Sequence, residues 1–133
     1  MNKYWFLAAA LLASGAAMAG TDHYLLQDGS HVHHLKVSKL GNDLYVTTDV
    51  DFEPNAAEAG KHACTAHVTG EAKQVSANEL VLKKHIEGEA RACTIKVLLS
   101  ATGAKIEQSE DCNYFAAGIC HFDSDGQELH KVQ

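Results

Sequence analysis

From residue 31 onward, apolar and polar side chains alternate in short runs that Gly, Asn, Asp and Ser interrupt. This period of two limits the fold more than any other feature of the chain. Successive side chains on a strand point to opposite faces, so an alternating run buries one face and wets the other. His31–Leu40 and Leu44–Phe52 both alternate, and Gly41-Asn42-Asp43 between them supplies a hairpin turn. In the second run Leu44, Val46, Thr48, Val50 and Phe52 share a face, opposite Tyr45, Thr47, Asp49, Asp51 and Glu53. His62–Gly70 and Arg91–Ser100 repeat the pattern, and Ala104–Gln108 makes a further short strand. Ile119–Phe122 is expected to pair with Glu128–Val132 across the turn Asp123-Ser124-Asp125-Gly126.

Two segments read less simply. Pro54 to Gly60 suits a single helical turn with Pro at its start and Gly at its end. Ser76 to Ala90 opens like a helix capping box, Ser76-Ala77-Asn78-Glu79. It also holds Leu80-Val81-Leu82 between Asn78 and Gly88, which suits a strand, and its strand-like neighbours favour that reading. Seven or eight short strands predict an all-β domain, a small antiparallel barrel or sandwich.

The first nineteen residues read as an export signal: Lys3 in a short charged start, an apolar run from Tyr4 to Ala13, and Ala17-Met18-Ala19 as a small-x-small cleavage site before Gly20. The run is shorter than the roughly 20 apolar residues of a spanning helix. Residues 20–133 then form one domain, periplasmic or secreted and free of the membrane after cleavage. Losing Lys3 leaves ten basic against seventeen acidic side chains, a net charge of −7 with histidine neutral. That sign repels nucleic acid and anionic lipid and suits a basic protein partner.

All four cysteines, Cys64, Cys93, Cys112 and Cys120, fall in the mature part. An even count in an exported domain predicts two disulfides, and the absence of a C-x-x-C spacing argues against zinc. Three pairings exist. Cys64 and Cys93 sit on the apolar faces of their strands, which favours Cys64–Cys93 with Cys112–Cys120. That second bridge would close a loop with Tyr114 and Phe115 near its tip, where the aromatics either project to anchor a partner or fold back onto the core.

Three other groups bear on chemistry. His31-Val32-His33-His34 places His31 and His33 on one strand face, on the side of Leu35 and Val37, and His34 on the other, with the acidic residues. The cluster is either a divalent-metal site or a polar strand end. The row Asp49, Asp51 and Glu53 reads as a solvated face, a docking strip for a basic protein, or a calcium site completed by carbonyls. No serine lies in a G-x-S-x-G setting and the thiols are expected to be oxidised, so nothing marks a nucleophile, and the chain is read as a binding protein without a cofactor. A small hydrolase whose carboxylates meet only in space is the remaining alternative.

Gly60-Lys61-His62-Ala63-Cys64, Gly70-Glu71-Ala72, Glu79-Leu80-Val81, Cys93-Thr94-Ile95-Lys96-Val97 and Asp111-Cys112-Asn113-Tyr114 through Cys120 together resemble small exported β-proteins grouped with bacterial lysozyme inhibitors. The resemblance implies a small antiparallel barrel that protects peptidoglycan by pushing a loop into the cleft of a basic muramidase. The Ser-Gly-x-x-Tyr and Trp-x-Lys-Gly motifs of the membrane-bound inhibitors of c-type lysozyme are absent, so no inhibitory residue is carried across from them. The resulting expectation is a periplasmic inhibitor or immunity-type partner of a peptidoglycan hydrolase. In it Asp49, Asp51 and Glu53 steer while Tyr114 and Phe115 anchor. A periplasmic metal binder using His31, His33 and His34 is the alternative.

Overall fold

The computed structural model describes residues 19–55, 57, 60–116 and 118–132. The predicted export signal lies almost wholly outside them. Cleavage before Gly20 would remove from the described part only Ala19, the outermost rung opposite Leu40.

Eight strands close an antiparallel barrel in sequence order: β1 (Ala19–Asp28), β2 (His31–Leu40), β3 (Asp43–Phe52), β4 (Cys64–Ser76), β5 (Glu79–His85), β6 (Ala92–Leu99), β7 (Gly103–Gln108) and β8 (Leu129–Val132). The all-β barrel expectation holds, and so does the strand reading of 76–90, which contains β5. The β2–β3 hairpin turns on Gly41, whose φ of 64° is the left-handed conformation that Gly adopts without penalty.

The alternation in β3 translates directly into packing. Val46, Thr48, Val50 and Phe52 are buried, while Tyr45, Asp51 and Glu53 face water. An eight-strand barrel is just wide enough for side chains to fill, and here Leu35, Leu82, Ile95, Val97, Ile106 and Leu129 meet them inside. The buried hydroxyl of Thr48 donates to the His34 carbonyl at 3.2 Å, so the core carries it without an unmet polar group.

The antiparallel order brings the ends of β1, β3, β5 and β7 and the starts of β2, β4, β6 and β8 to one end of the barrel. Between β7 and β8 the chain crosses that end as a plug, residues 109–128, containing two short 3-10 turns, Glu110–Tyr114 and Gly118–Cys120. Phe122 is fully buried there, and Ser124 stitches the plug to β7. The Ser124 amide donates to the Ile106 carbonyl at 2.9 Å, and the Ile106 amide donates to the Ser124 hydroxyl at 3.0 Å.

The disulfides are Cys64–Cys120 and Cys93–Cys112, which corrects the expected pairing. Strand β5 lies between β4 and β6, so Cys64 and Cys93 are two strand spacings apart, about 10 Å. Continuing the β4–β5 register puts Lys84, the partner of Cys93, level with Gly70, so Cys64 lies six residues (64 to 70) or roughly 20 Å further along. A bridge needs Cα atoms within about 7 Å. Both residues lie against the core, Cys93 fully buried and Cys64 partly, but that did not make them neighbours. Both bridges instead tie the barrel wall to the plug.

Two local expectations also change. Gly118–Cys120 is a 3-10 turn, not a strand, and β8 pairs with β7 and β1. The segment is drawn to Cys64 and inserts Phe122, so it has no free ladder to offer. The predicted turn at 54–60 falls largely outside the described residues; Ala57 is in 3-10 conformation and its amide donates to Asn55 Oδ1 at 2.9 Å.

Proteolytic mapping of the non-reduced protein is expected to recover Cys64–Cys120 and Cys93–Cys112. Replacing both Cys64 and Cys120 by Ser should cost about 2–4 kcal/mol of unfolding free energy in denaturant titration. Gly103 pairs with His130 where β7 meets the short β8, and a Cβ there would lie 2.1 Å from the Leu129 carbonyl oxygen. Gly103→Ala must therefore move backbone, with a loss of about 2 kcal/mol or more in the same assay.

Candidate histidine cleft at the plugged end

The plug does not fill its end of the barrel completely. Between it and the ends of β1 and β2 lies a cleft of about 400 Å³, with Leu26 and Ile119 as apolar walls and His31, His33, His121, Asp28 and Asp125 as its ionisable groups. Strand register places the first two histidines. His31 stands opposite Phe52 and His33 opposite Val50, so both rings share the side of the core residues Phe52, Val50 and Leu35. Their ring centroids are 6.4 Å apart.

Each imidazole has a different environment. His31 Nε2 lies 3.2 Å from the Ile119 carbonyl, which can only accept, so that nitrogen carries a proton and Nδ1 keeps the lone pair of the neutral ring. His33 is only 7 % exposed and its Nδ1 is buried with no hydrogen-bond partner among the described residues. Burial pushes its pKa below the ordinary histidine value, and the neighbouring His31 and His121 push it further, against a smaller upward pull from Asp125 and Asp28.

His121 is the opposite case. Its Nδ1 is 2.6 Å from the Gly118 carbonyl and its Nε2 is 2.8 Å from Asp125 Oδ2. Both partners are acceptors, so the doubly protonated imidazolium satisfies both. Desolvation works against that charge, but the bonds to Gly118 and Asp125, with the nearby Asp125 and Asp123 charges, outweigh it and raise the pKa. Asp125 itself adopts a left-handed φ of 54°, held by its amide donating to Asp123 Oδ1 at 2.7 Å. The Asp123–Gly126 segment is thus a turn that also presents a carboxylate to the cleft.

The structure separates the predicted metal trio. His34 faces outward, where its Nδ1 lies 3.1 Å from His23 Nε2 and the rings stack at 5.3 Å. Among the described residues no group of three or more His, Cys, Asp or Glu side chains is placed to hold a metal ion. The outer wall around His23 and His34 forms a second depression of about 440 Å³ that includes Asp49, Asp51 and His67.

Of the predicted partner-binding residues, Asp49 is half-buried and paired with His67, while Asp51 and Glu53 are exposed at the end of β3. Tyr114 is 63 % exposed, and Phe115 packs against the core with the two rings edge to face at 5.3 Å. The two open readings of this pair therefore divide between its members. Glu53, Tyr114 and Asp51 come to the same end of the barrel as the histidine cleft.

Sequence reasoning missed His121, Asp28 and Asp125 as members of a site. The first lay in a segment read as a strand, and the last in a segment read as a hairpin turn in preference to the start of a calcium loop. Comparison with protein-family models, with curated proteins and with solved structures found no match.

The opposed environments fix an expected titration order. Proton NMR should show His121 titrating above the ordinary histidine value of about 6.5 and His33 below it. His33 is bound neutral, so its contribution to stability is intact above about pH 6.5 and is lost as pH falls towards its folded pKa. His121 has the reverse sign, contributing fully below about pH 6.5 and losing that contribution as pH rises through its folded pKa. His33→Phe should flatten the acid limb of the stability profile and leave the His121 limb in place.

Proposed function

We propose that this chain is an exported binding protein that acts as an inhibitor or immunity-type partner of a basic cell-wall-degrading enzyme. One observation carries the reading. The segment that crosses the end of the barrel carries Glu110, Asp111, Asp123 and Asp125 and no Lys or Arg of its own; Arg91 before β6 lies 3.6 Å from Asp111 and offsets part of that charge. Exposed Tyr114 stands in the same segment, and exposed Asp51 and Glu53 lie at the end of the adjoining strand.

The physical case has three parts. Negative charge concentrated on one end steers a basic protein into encounter and orients it. Tyr114 offers a large amphipathic contact with little conformational freedom to lose, the kind of side chain that anchors interfaces. The two disulfides hold the backbone of the plug before any partner arrives, which lowers the ordering cost of association. The same bridges are compatible with an oxidising compartment outside the cytoplasm.

The test is a panel of basic muramidases and other wall hydrolases assayed for inhibition and for complex formation. At least one should be bound, with an association rate that falls steeply as salt rises. Tyr114→Ala should weaken the complex about ten-fold or more, and Glu53→Lys with Asp51→Lys should mainly slow association. Absence of binding across the panel, or binding indifferent to both salt and Tyr114, would remove the reading.

A further inference from the structure

We infer that the histidine cleft is a receptor for one cationic side chain, the ammonium of a lysine or the guanidinium of an arginine carried by the basic partner. The inference rests on the reading of the protein as a receptor for a basic protein, and it names where the partner's charge is held.

The hydrogen-bonding capacity left over in the cleft carries the argument. Most donors are already committed: His31 Nε2 to Ile119, both nitrogens of His121 to Gly118 and Asp125, the Ser124 hydroxyl to Ile106, and one Gln127 amide hydrogen to Asp28 at 3.5 Å, which leaves the single N–H of a neutral His33 and the second Gln127 hydrogen. What remains is mostly acceptor. His31 Nδ1 has its lone pair, and Asp28 and Asp125 each have capacity beyond the single bonds just named. Among the described residues no Lys or Arg lines the cleft. With His121 charged, two carboxylates face one imidazolium and the cleft keeps a net negative charge.

The walls suit the rest of such a side chain. Leu26 and Ile119 provide apolar surface for an aliphatic stem, which long basic side chains bury while their charged heads find polar partners. The volume of about 400 Å³ admits a single extended side chain. At the inner wall, His33 is more than nine-tenths buried and its Nδ1 lacks a partner. Buried polar atoms in that state are few in folded proteins, and in the tautomer that leaves the lone pair on Nδ1 a donor reaching the inner wall would supply what this one lacks.

The open carboxylates Asp51 and Glu53 are the competing place for a cation. Asp51 lines the outer depression beside Lys36 and His67, and Glu53 is exposed beyond it, so a cation there meets a neighbouring ammonium and stays exposed to water.

The test is an NMR titration of the full chain with Nα-acetyl-arginine amide and Nα-acetyl-lysine amide, with Nα-acetyl-glutamate amide as the anionic control. The cationic probes should give saturable shifts at His31, His33 and His121, with dissociation constants in the millimolar range expected of one side chain. Asp28→Asn should weaken binding several-fold, and Asp28→Asn with Asp125→Asn should weaken it further. Asn tolerates the left-handed backbone at 125, and unchanged amide spectra away from the cleft would show that both variants fold. Binding should also weaken on the acid side of the histidine range, because a proton on His33 would join His121 against the probe, with Asp28, Asp125 and the nearby Asp123 opposing. No shift at the cleft, equal shifts with the glutamate probe, or shifts confined to Asp49, Asp51 and Glu53 would overturn the inference. The last result leaves the basic-partner reading standing. Cleft binding by a protein that binds no basic hydrolase would instead overturn the partner's part in it.

Discussion

Phe122 sits fully buried at the mouth of an eight-strand barrel, and a covalent bond holds the chain in place two residues before it. Cys120 is tied to Cys64 at the first residue of β4, and Ser124 bonds to the Ile106 backbone on β7. Cys112, at the other side of the plug, is tied to Cys93 on β6. The plug is thereby attached to three strands around the rim. A barrel open at this end would expose the apolar interior around Phe52, Ile106 and Leu129, and a mature chain of this size has little core to spare. The bridges enclose sequence separations of 56 and 19 residues. On the chain-entropy account each therefore removes about 3–4 kcal/mol of freedom from the unfolded state.

The seal also creates the site. His31 and His33 belong to the barrel wall, whereas His121 and Asp125 belong to the plug, and only the closed arrangement brings them to one cleft. Their different protonation follows from where each was placed. His33 is enclosed by wall and plug without a partner, and His121 is set between a carbonyl and a carboxylate. The same segment carries Glu110, Asp111, Asp123 and Asp125, so one element seals the core, assembles the cleft and carries the charge proposed to meet a basic partner.

Much of the wall was legible in the sequence because a period of two has one structural meaning when one face must be buried. Val46, Thr48, Val50 and Phe52 face inward as their spacing requires. Strand β1 escaped notice because Leu25 and Leu26 are adjacent and Asp22 shares the face of the buried Tyr24, which blurs the alternation. Of the plug, only the turn at Asp123–Gly126 was legible. The plug's residues obey no period, since their positions are set by contacts with strands far away in sequence, and disulfide pairing is a property of the closed barrel, not of either strand. The places of His121 and Asp125 in the cleft were hidden for that reason. His31 and His33 were correctly placed together on a face apart from His34, because only the pleat was needed.

Native-state hydrogen exchange tests the central claim, that residues 109–128 are a fixed closure of the barrel and not a loop lying over it. The amides of Ser124, bonded to Ile106, and of Phe122, bonded to Gln108 Oε1 at 2.6 Å, should exchange as slowly as those of Ile95 and Val97 in the core strands. Exchange of Phe122 and Ser124 at the rate of an exposed loop, with the strands still protected, would contradict it.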